Sequence, residues 1–260
     1  MNRKNQHGAF RSASLLALIT FILLLSCNEQ NKQGAVVFSF DDQYIDEWYS
    51  QRNLFNQYNI KATFFISRPH QLKPDQIEKL KQLQADGHEI GCHGLNHLNA
   101  VTYKDSINVL IEKEIKPAIE SLSELGFDAH SFAYPYGSSL PNIDSILLGY
   151  FDYLRKATYN TKDTSIDYYD DIFAKKDDYK VVNAMGIDTN FKITPENLEL
   201  GLQRAKNNNE VLILYSHKID SSLTDYTVRP EYLAEIFKRC EKLNIKSIRM
   251  TDLENHFQNH

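Results

Sequence analysis

A chain of 260 residues, 42% hydrophobic and 24% charged, is long enough to bury one sizeable core and suits a single α/β domain. Its net charge of −5 excludes the basic surface of an electrostatic nucleic-acid binder, so no nucleic-acid partner is expected. Lysines and arginines are scattered among the acids, as on a solvated surface. The 15 tyrosines would suit a sugar-binding groove, although packing accounts for most tyrosines.

Residues 1–27 do not read as part of a fold. Arg3, Lys4 and Arg11 make a basic start, and Leu15 to Leu25 is an apolar run too short to span a bilayer comfortably. The run ends in Leu24-Leu25-Ser26-Cys27, which resembles the lipobox of bacterial lipoproteins. That resemblance implies cleavage before Cys27 and lipidation of it, giving an exported protein held at the cell envelope through lipid. An ordinary signal peptide or anchor that happens to end in cysteine is the alternative. Asn28, rather than Asp, follows the cysteine, and by similarity to sorting in diderm bacteria this implies the outer membrane. Residues 28–34 are polar and lack apolar side chains, as a tether should. Cys92 and Cys240 are expected as small buried hydrophobes, with a disulfide between them the lesser reading.

One domain is expected over 35–257. A strand at about 35–41 is followed by a helix through Ile45–Tyr58 and the strand Lys61–Ser67, with its β-favouring Ala-Thr-Phe-Phe-Ile. Pro74 opens a helix whose Ile77, Leu80 and Leu83 keep helical spacing and which Gly87 ends. The strand His88–Cys92, a long helix over about 105–125 stopped by Gly126, and the strand Ala129–Tyr134 come next. Pro141 starts a helix running towards Tyr153. Residues 159–193 are polar and Asp-rich, with Phe173-Ala174 and Val181-Val182 as short strand candidates. Thr194-Pro195-Glu196 reads as an N-cap with Pro at the first helical position. The strand Val211–Ser216, the helix Arg229–Leu243 and the strand Ile245–Met250 close the chain. About seven strands with intervening helices fit a barrel better than an open sheet.

Four polar clusters sit just past the C-terminal ends of apolar runs, where such folds carry their chemistry: Asp41-Asp42, His93 to His97, Tyr134-Pro135-Tyr136-Gly137 and His217. His93 and His97, four apart around Gly94, can converge on one ion, and Asp42 would complete an Asp-His-His set with a position left for water. A lone pair of histidines at that spacing is common on surfaces; the company of Asp-Asp and His217 makes the metal reading the better one. Adjacent Asp41 and Asp42 leave a strand in different directions, so one can bind metal while the other faces the water as a base. Capping the next helix is the structural alternative, for which Asp46 is better placed. His70, His88 and His130 read as surface or strand-end residues.

The combination resembles the polysaccharide deacetylases of carbohydrate esterase family four. The family's Thr-Phe-Asp-Asp appears as Ser39-Phe40-Asp41-Asp42, its His-Ser/Thr-x-x-His as His93-Gly94-Leu95-Asn96-His97, its third motif as Ala133-Tyr134-Pro135-Tyr136-Gly137, and its last as Tyr215-Ser216-His217. The order is the family's over roughly 35–255. The resemblance implies a distorted (β/α)7 barrel and a hydrolase removing N-acetyl groups from an amino-sugar polysaccharide or oligosaccharide. It implies Asp41 as general base, Asp42, His93 and His97 as ligands, the Tyr136 N–H as an oxyanion donor and His217 as general acid. One divalent ion is expected, zinc by preference for this donor set, with cobalt or nickel also fitting. The acetylated glycan is the expected partner. An O-acetyl esterase acting on xylan-like glycans is the sister reading, and a degenerate glycan-binding member without turnover the other.

Three positions depart from the pattern. Ala133 stands where the family has the arginine that buttresses the catalytic aspartate, leaving Arg68, Arg155 and Arg249 as candidate substitutes. Gly94 replaces the Ser or Thr that braces the metal loop, so a more mobile loop is expected. Tyr215 replaces an aliphatic residue of the acetyl pocket. For the fourth motif the candidate is Asp188 in Gly186-Ile187-Asp188.

Overall fold

The structure, a computed structural model, describes residues 33–158 and 165–259. The expected leader 1–27, the lipidation residue Cys27 and most of the tether 28–34 lie outside the described residues. Among the described residues no helix is long and apolar enough to cross a membrane.

The expected (β/α)7 barrel forms. Its wall is β1 (Ala35–Asp42), β2 (Ala62–Ile66), β3 (Glu89–Cys92), β4 (Ser131–Ala133), β5 (Tyr153–Thr158), β7 (Val181–Gly186) and β8 (Val211–Ser216), with the short β6 (Phe173–Ala174) lying outside that ring. Each wall strand runs parallel to the next, and β8 pairs back onto β1 from Ala35↔Val211 to Phe40↔Ser216, which closes the ring. The distortion has two visible causes. β3 and β4 are joined through the single pair Cys92↔Phe132, and β6 runs antiparallel along β8.

Period-two alternation decides what each strand offers the interior. Along β1, Val36, Phe38 and Phe40 pack outward under the helices, whereas Ala35 and Val37 pack inward. Continuing that inward set to its mouth gives Ser39 and Asp41. The same count on β8 runs Val211, Ile213, Tyr215 and on to His217, and on β5 it runs Tyr153, Arg155, Ala157. Gly91 on β3 has to be glycine, since a Cβ there would lie 2.6 Å from the inward Phe65 ring. The outer layer is aromatic: Trp48 stacks on Phe64 at 5.1 Å, and Phe237 meets Phe38 edge-on at 5.1 Å.

Several expected elements need correction. The helix expected through Ile45–Tyr58 is two pieces, Ile45–Ser50 and Arg52–Gln57. The helix from Pro141 stops at Leu147, and the chain re-enters the barrel as β5, a strand the sequence reading lacks. Arg155 and Lys156 in its centre hide the apolar alternation that marks other strands. The last strand shrinks to Lys246–Ser247, because the chain turns into a 3-10 helix at Met250–Asp252. The long helix over 105–125 is Ile107–Leu110 and Lys116–Glu124 joined by a π-helical turn, Ile111–Ile115. Cys92 and Cys240 are buried and unpaired, as expected. His88, expected as a surface or strand-end residue, is the latter, directly before β3. It is buried between Phe55 and Phe64, takes the Ala62 N–H on Nδ1 at 3.1 Å, and burial pushes it down to about 4.

Candidate active site

The mouth of the barrel gathers Asp42, His93 and His97. Asp42 Oδ1 lies 3.8 Å from His93 Nε2 and 3.4 Å from His97 Nε2, and the three donor atoms fall within 4.8 Å of one another. Bonds of about 2.0–2.2 Å to one tetrahedral ion span edges close to these. His93 is buried, and its Nδ1–H donates to the Ala133 carbonyl at 2.8 Å, which leaves the Nε2 lone pair facing Asp42. Burial pushes His93 down to about 4 against the pull of Asp41 and Asp42, and it lowers His97 too, so both rings are neutral and able to ligate at pH 7. Donor type, spacing and protonation state all fit a divalent ion. Asp42 (φ 86°), His97 (φ 61°) and Tyr136 (φ 62°) all adopt the left-handed conformation that non-glycine residues rarely take. Strain of about 1–3 kcal/mol per residue persists only where surrounding contacts over-determine it, and such residues concentrate at functional sites.

Asp41 points inward beside this group and is buried. Arg155 supplies the cation that Ala133 cannot. Its Nη2 reaches Asp41 Oδ1 at 2.6 Å and Oδ2 at 2.5 Å. Ala133 and Arg155 are register partners across β4 and β5, so the arginine has moved one strand along at the same level of the barrel. Its guanidinium lies against the Tyr215 ring at 4.9 Å and the Phe65 ring at 5.4 Å. Tyr215, anomalous as an acetyl-pocket residue, thus also forms one wall of the Arg155 slot. Burial pushes the Asp41 carboxyl up, but Arg155, His93 and His217 outweigh it and hold the group below its ordinary value. Arg68 and Arg249 do not serve Asp41. The Arg249 side chain is bound to Asp252, and Arg68 lies by the His97 loop, where its N–H donates to the Gly94 carbonyl.

His217 stands across the cavity with its Nδ1 2.7 Å from Asp188 Oδ2. Asp188 is buried; its other oxygen takes the His217 N–H at 3.1 Å and the Ser216 hydroxyl. Burial pulls the imidazole down, yet Asp188, with Asp41 and Asp42 behind it, raises it above its ordinary value. Trp48 Nε1–H donates to the His217 carbonyl at 2.7 Å and fixes the backbone from the other side. Asp188, the fourth-motif candidate, is therefore the partner of His217.

Asp41, Asp42, His93, His97, Arg155 and His217 line one cavity of about 460 Å³, with Tyr44, Tyr226, Phe191 and Tyr136 among its walls. Tyr136 is 58% exposed and its ring lies 4.9 Å from that of His97. All six expected site residues of the fold, Asp41, Asp42, His93, His97, Tyr136 and His217, are brought together here. One supporting residue was missed outright. Glu114, buried, accepts hydrogen bonds from Asn96 N at 2.8 Å and Leu98 N at 2.9 Å. Its signal is a charge inside the otherwise apolar stripe Leu110, Ile111, Ile115, Ala118 and Leu122.

Comparison with known proteins agrees with the fold. The fold is shared with the chitin deacetylase of the fungal pathogen Colletotrichum lindemuthianum (17% identity, TM-score 0.56, covering 86% of this chain and 88% of that one). It is shared too with the peptidoglycan deacetylase PdaC of Bacillus subtilis (16%, 0.54, 88% and 94%) and with the Xyl-CE4 domain of a multidomain xylanase from the hindgut metagenome of Trinervitermes trinervoides (14%, 0.55, 87% and 91%). Residues 28–150 match the family model described as polysaccharide deacetylase. That stretch, which carries Asp41, Asp42, His93 and His97, is thus similar to the polysaccharide deacetylase family. Among curated proteins it is 29% identical over 120 residues to YheN of Bacillus subtilis strain 168, named after the same family, and 31% identical over 113 residues to gellan lyase of a Bacillus species. Each match covers 44% of this chain, but only 41% of YheN and 4% of the lyase.

Proposed function

We propose that the protein is a metal-dependent hydrolase that removes N-acetyl groups from an amino-sugar polysaccharide or oligosaccharide. The observation that carries this reading is the division of labour inside one cavity. An Asp-His-His group is flanked by a carboxylate held ionised by Arg155 and an imidazole whose affinity for its proton Asp188 raises. A zinc ion held by Asp42, His93 and His97 would polarise the acyl oxygen and acidify the attacking water. Asp41 takes one proton from that water as its oxygen adds to the acyl carbon. The Tyr136 N–H donates to the developing oxyanion, a contribution of about 3 kcal/mol where such donors have been removed. His217 gives its proton to the nitrogen as the carbon–nitrogen bond breaks, and acetate and a free amine leave. An amide nitrogen leaves only once protonated, so an acid reinforced by a buried carboxylate favours N-acetyl over O-acetyl substrates. The names of the chitin and peptidoglycan deacetylases that share the fold support the same substrate class. Ala133 and Gly94, as missing braces, would motivate a glycan-binding member without turnover; the contacts of Arg155 with Asp41 and of Glu114 with the His93–His97 loop speak against it.

The test is a panel of chitin oligosaccharides, peptidoglycan and acetylated xylan, assayed for acetate with the full chain and zinc, cobalt or nickel. Release from the amino-sugar polymers is expected, and His97→Ala should lose both the ion, by elemental analysis, and the acetate. Release from xylan alone would transfer the assignment to O-acetyl esters, and release from none would end it.

The protein works, on this proposal, outside the cytoplasm, anchored by lipid on Cys27 at the outer membrane. The basic start, the short apolar run and the Ser26-Cys27 junction support this, since two or more acyl chains suffice for stable anchoring. Cys27→Ser should leave the chain unprocessed or release it from membranes. Unchanged fractionation with a normally processed N-terminus would refute the anchor and leave the hydrolase intact.

A further inference from the structure

The metal loop His93–His97 lacks the hydroxyl that braces it in the resembling family, yet it is not loose. The carboxylate of Glu114 grips it from the π-helical turn Ile111–Ile115. Oε2 accepts the Asn96 N–H at 2.8 Å and the Asn96 side-chain amide at 3.2 Å, while Oε1 accepts the Leu98 N–H at 2.9 Å. The same amide also reaches the Lys113 carbonyl, in that π turn, at 3.3 Å. The two clamped N–H groups are those immediately before and after His97, whose φ is 61°. One carboxylate bridging residues on either side of a strained residue leaves that residue little freedom to relax.

Gly94 belongs to the same device. It has φ +85°, and a Cβ on it would lie 2.2 Å from Glu114 Oε1. The loop has therefore exchanged a side-chain brace of its own for space in which an external carboxylate sits. π turns inserted in α-helices recur at functional sites, and this one places an acidic residue in the buried stripe at the level of the loop.

We propose that Glu114 is a positioning residue for the metal centre: it holds His97 in its left-handed conformation, so that Nε2 faces Asp42 and His93 before any ion arrives. The proposal rests on the metal centre proposed above. Its role is exercised through the loop backbone, and Glu114 itself touches neither ion nor substrate.

The test is zinc titration of the metal-free full chain against a chromophoric chelator, for wild type, Glu114→Ala and Glu114→Gln, each with its melting temperature. Glu114→Ala should weaken zinc binding by about 10–100-fold per folded molecule, the range found when partners of metal ligands are removed. Glu114→Gln keeps the shape but only one acceptor end, so it should fall between. If the alanine variant does not fold, the glutamine variant carries the test alone. The visible spectrum of the cobalt-loaded chain should change with Glu114→Gln, a readout that a purely structural role would not move. Zinc affinity and cobalt spectrum indistinguishable from wild type, even with a lowered melting temperature, would overturn the proposal for Glu114 and leave the metal centre standing. Failure of the wild type to bind zinc or cobalt would overturn the centre and this proposal with it.

Discussion

Replacing Arg155 by alanine should destabilise the fold by about 3–5 kcal/mol, among the largest single effects expected in this domain. Arg155 and Asp41 are 1% and 3% exposed, so solvent cannot screen the charge left behind. The loss also empties the slot between Phe65 and Tyr215. The sign of the pH dependence follows from Asp41, whose folded carboxyl lies below its ordinary 3.8. Its contribution is fully present above that value and is lost as the pH falls through the lower, folded one. In the alanine variant burial acts with only His93 and His217 to oppose it. The carboxyl rises, and the acidic limb of the pH–rate profile moves to higher pH. Adding Asp41→Asn to Arg155→Ala should return part of the stability, since the buried charge is then gone. Denaturant titration of the single and double variants measures this; a loss below about 1 kcal/mol would mean that Asp41 has another partner.

The pair also shows where sequence ceases to be legible. Asp41, Asp42, His93, His97 and His217 could be read because each is a polar residue closing an apolar run, and barrels place such residues at one mouth. Arg155 could not be singled out, because a cation next to Lys156 on an unremarked segment looks like solvated charge. Only the β4–β5 register, which puts it opposite Ala133, makes it the buttress. Asp188 was a candidate for want of others, and its role depends on the β7–β8 pairing that brings Gly186 beside Tyr215. Glu114 was invisible as a ligand-loop brace because it lies 17 positions beyond His97, on a helix whose face is set by a π turn. Gly94 was legible as a departure but not as a fit. Its missing side chain suggested mobility, whereas the space is occupied by a carboxylate from another element. Local chemistry is written along the chain; compensation between elements is not.

Replacing Asp188 by asparagine is expected to lower turnover by about 10²–10⁴-fold while leaving the fold and zinc binding close to wild type. Asparagine preserves the shape and keeps one carbonyl oxygen for the Ser216 hydroxyl and the His217 N–H, so the backbone of the site stays tied. What it removes is the negative charge facing Nδ1. Burial, which pulls His217 down, is then opposed only by Asp41 and Asp42. In the wild type the imidazole keeps its proton above its ordinary 6.5, and the stability it contributes is full below that value and lost as the pH rises through the folded one. In the variant the proton leaves at lower pH. On the proposed mechanism His217, as general acid, is then depleted at neutral pH, so the basic limb of the pH–rate profile shifts downward and the acidic limb, assigned there to Asp41, stays in place. Alanine at 188 would untie Ser216 as well and confuse the two effects, which makes asparagine the informative change. The check is a pH–rate profile of acetate release from a chitin oligosaccharide for both proteins. A basic limb that does not move would mean that another group protonates the leaving amine, and His217 would lose its assigned role.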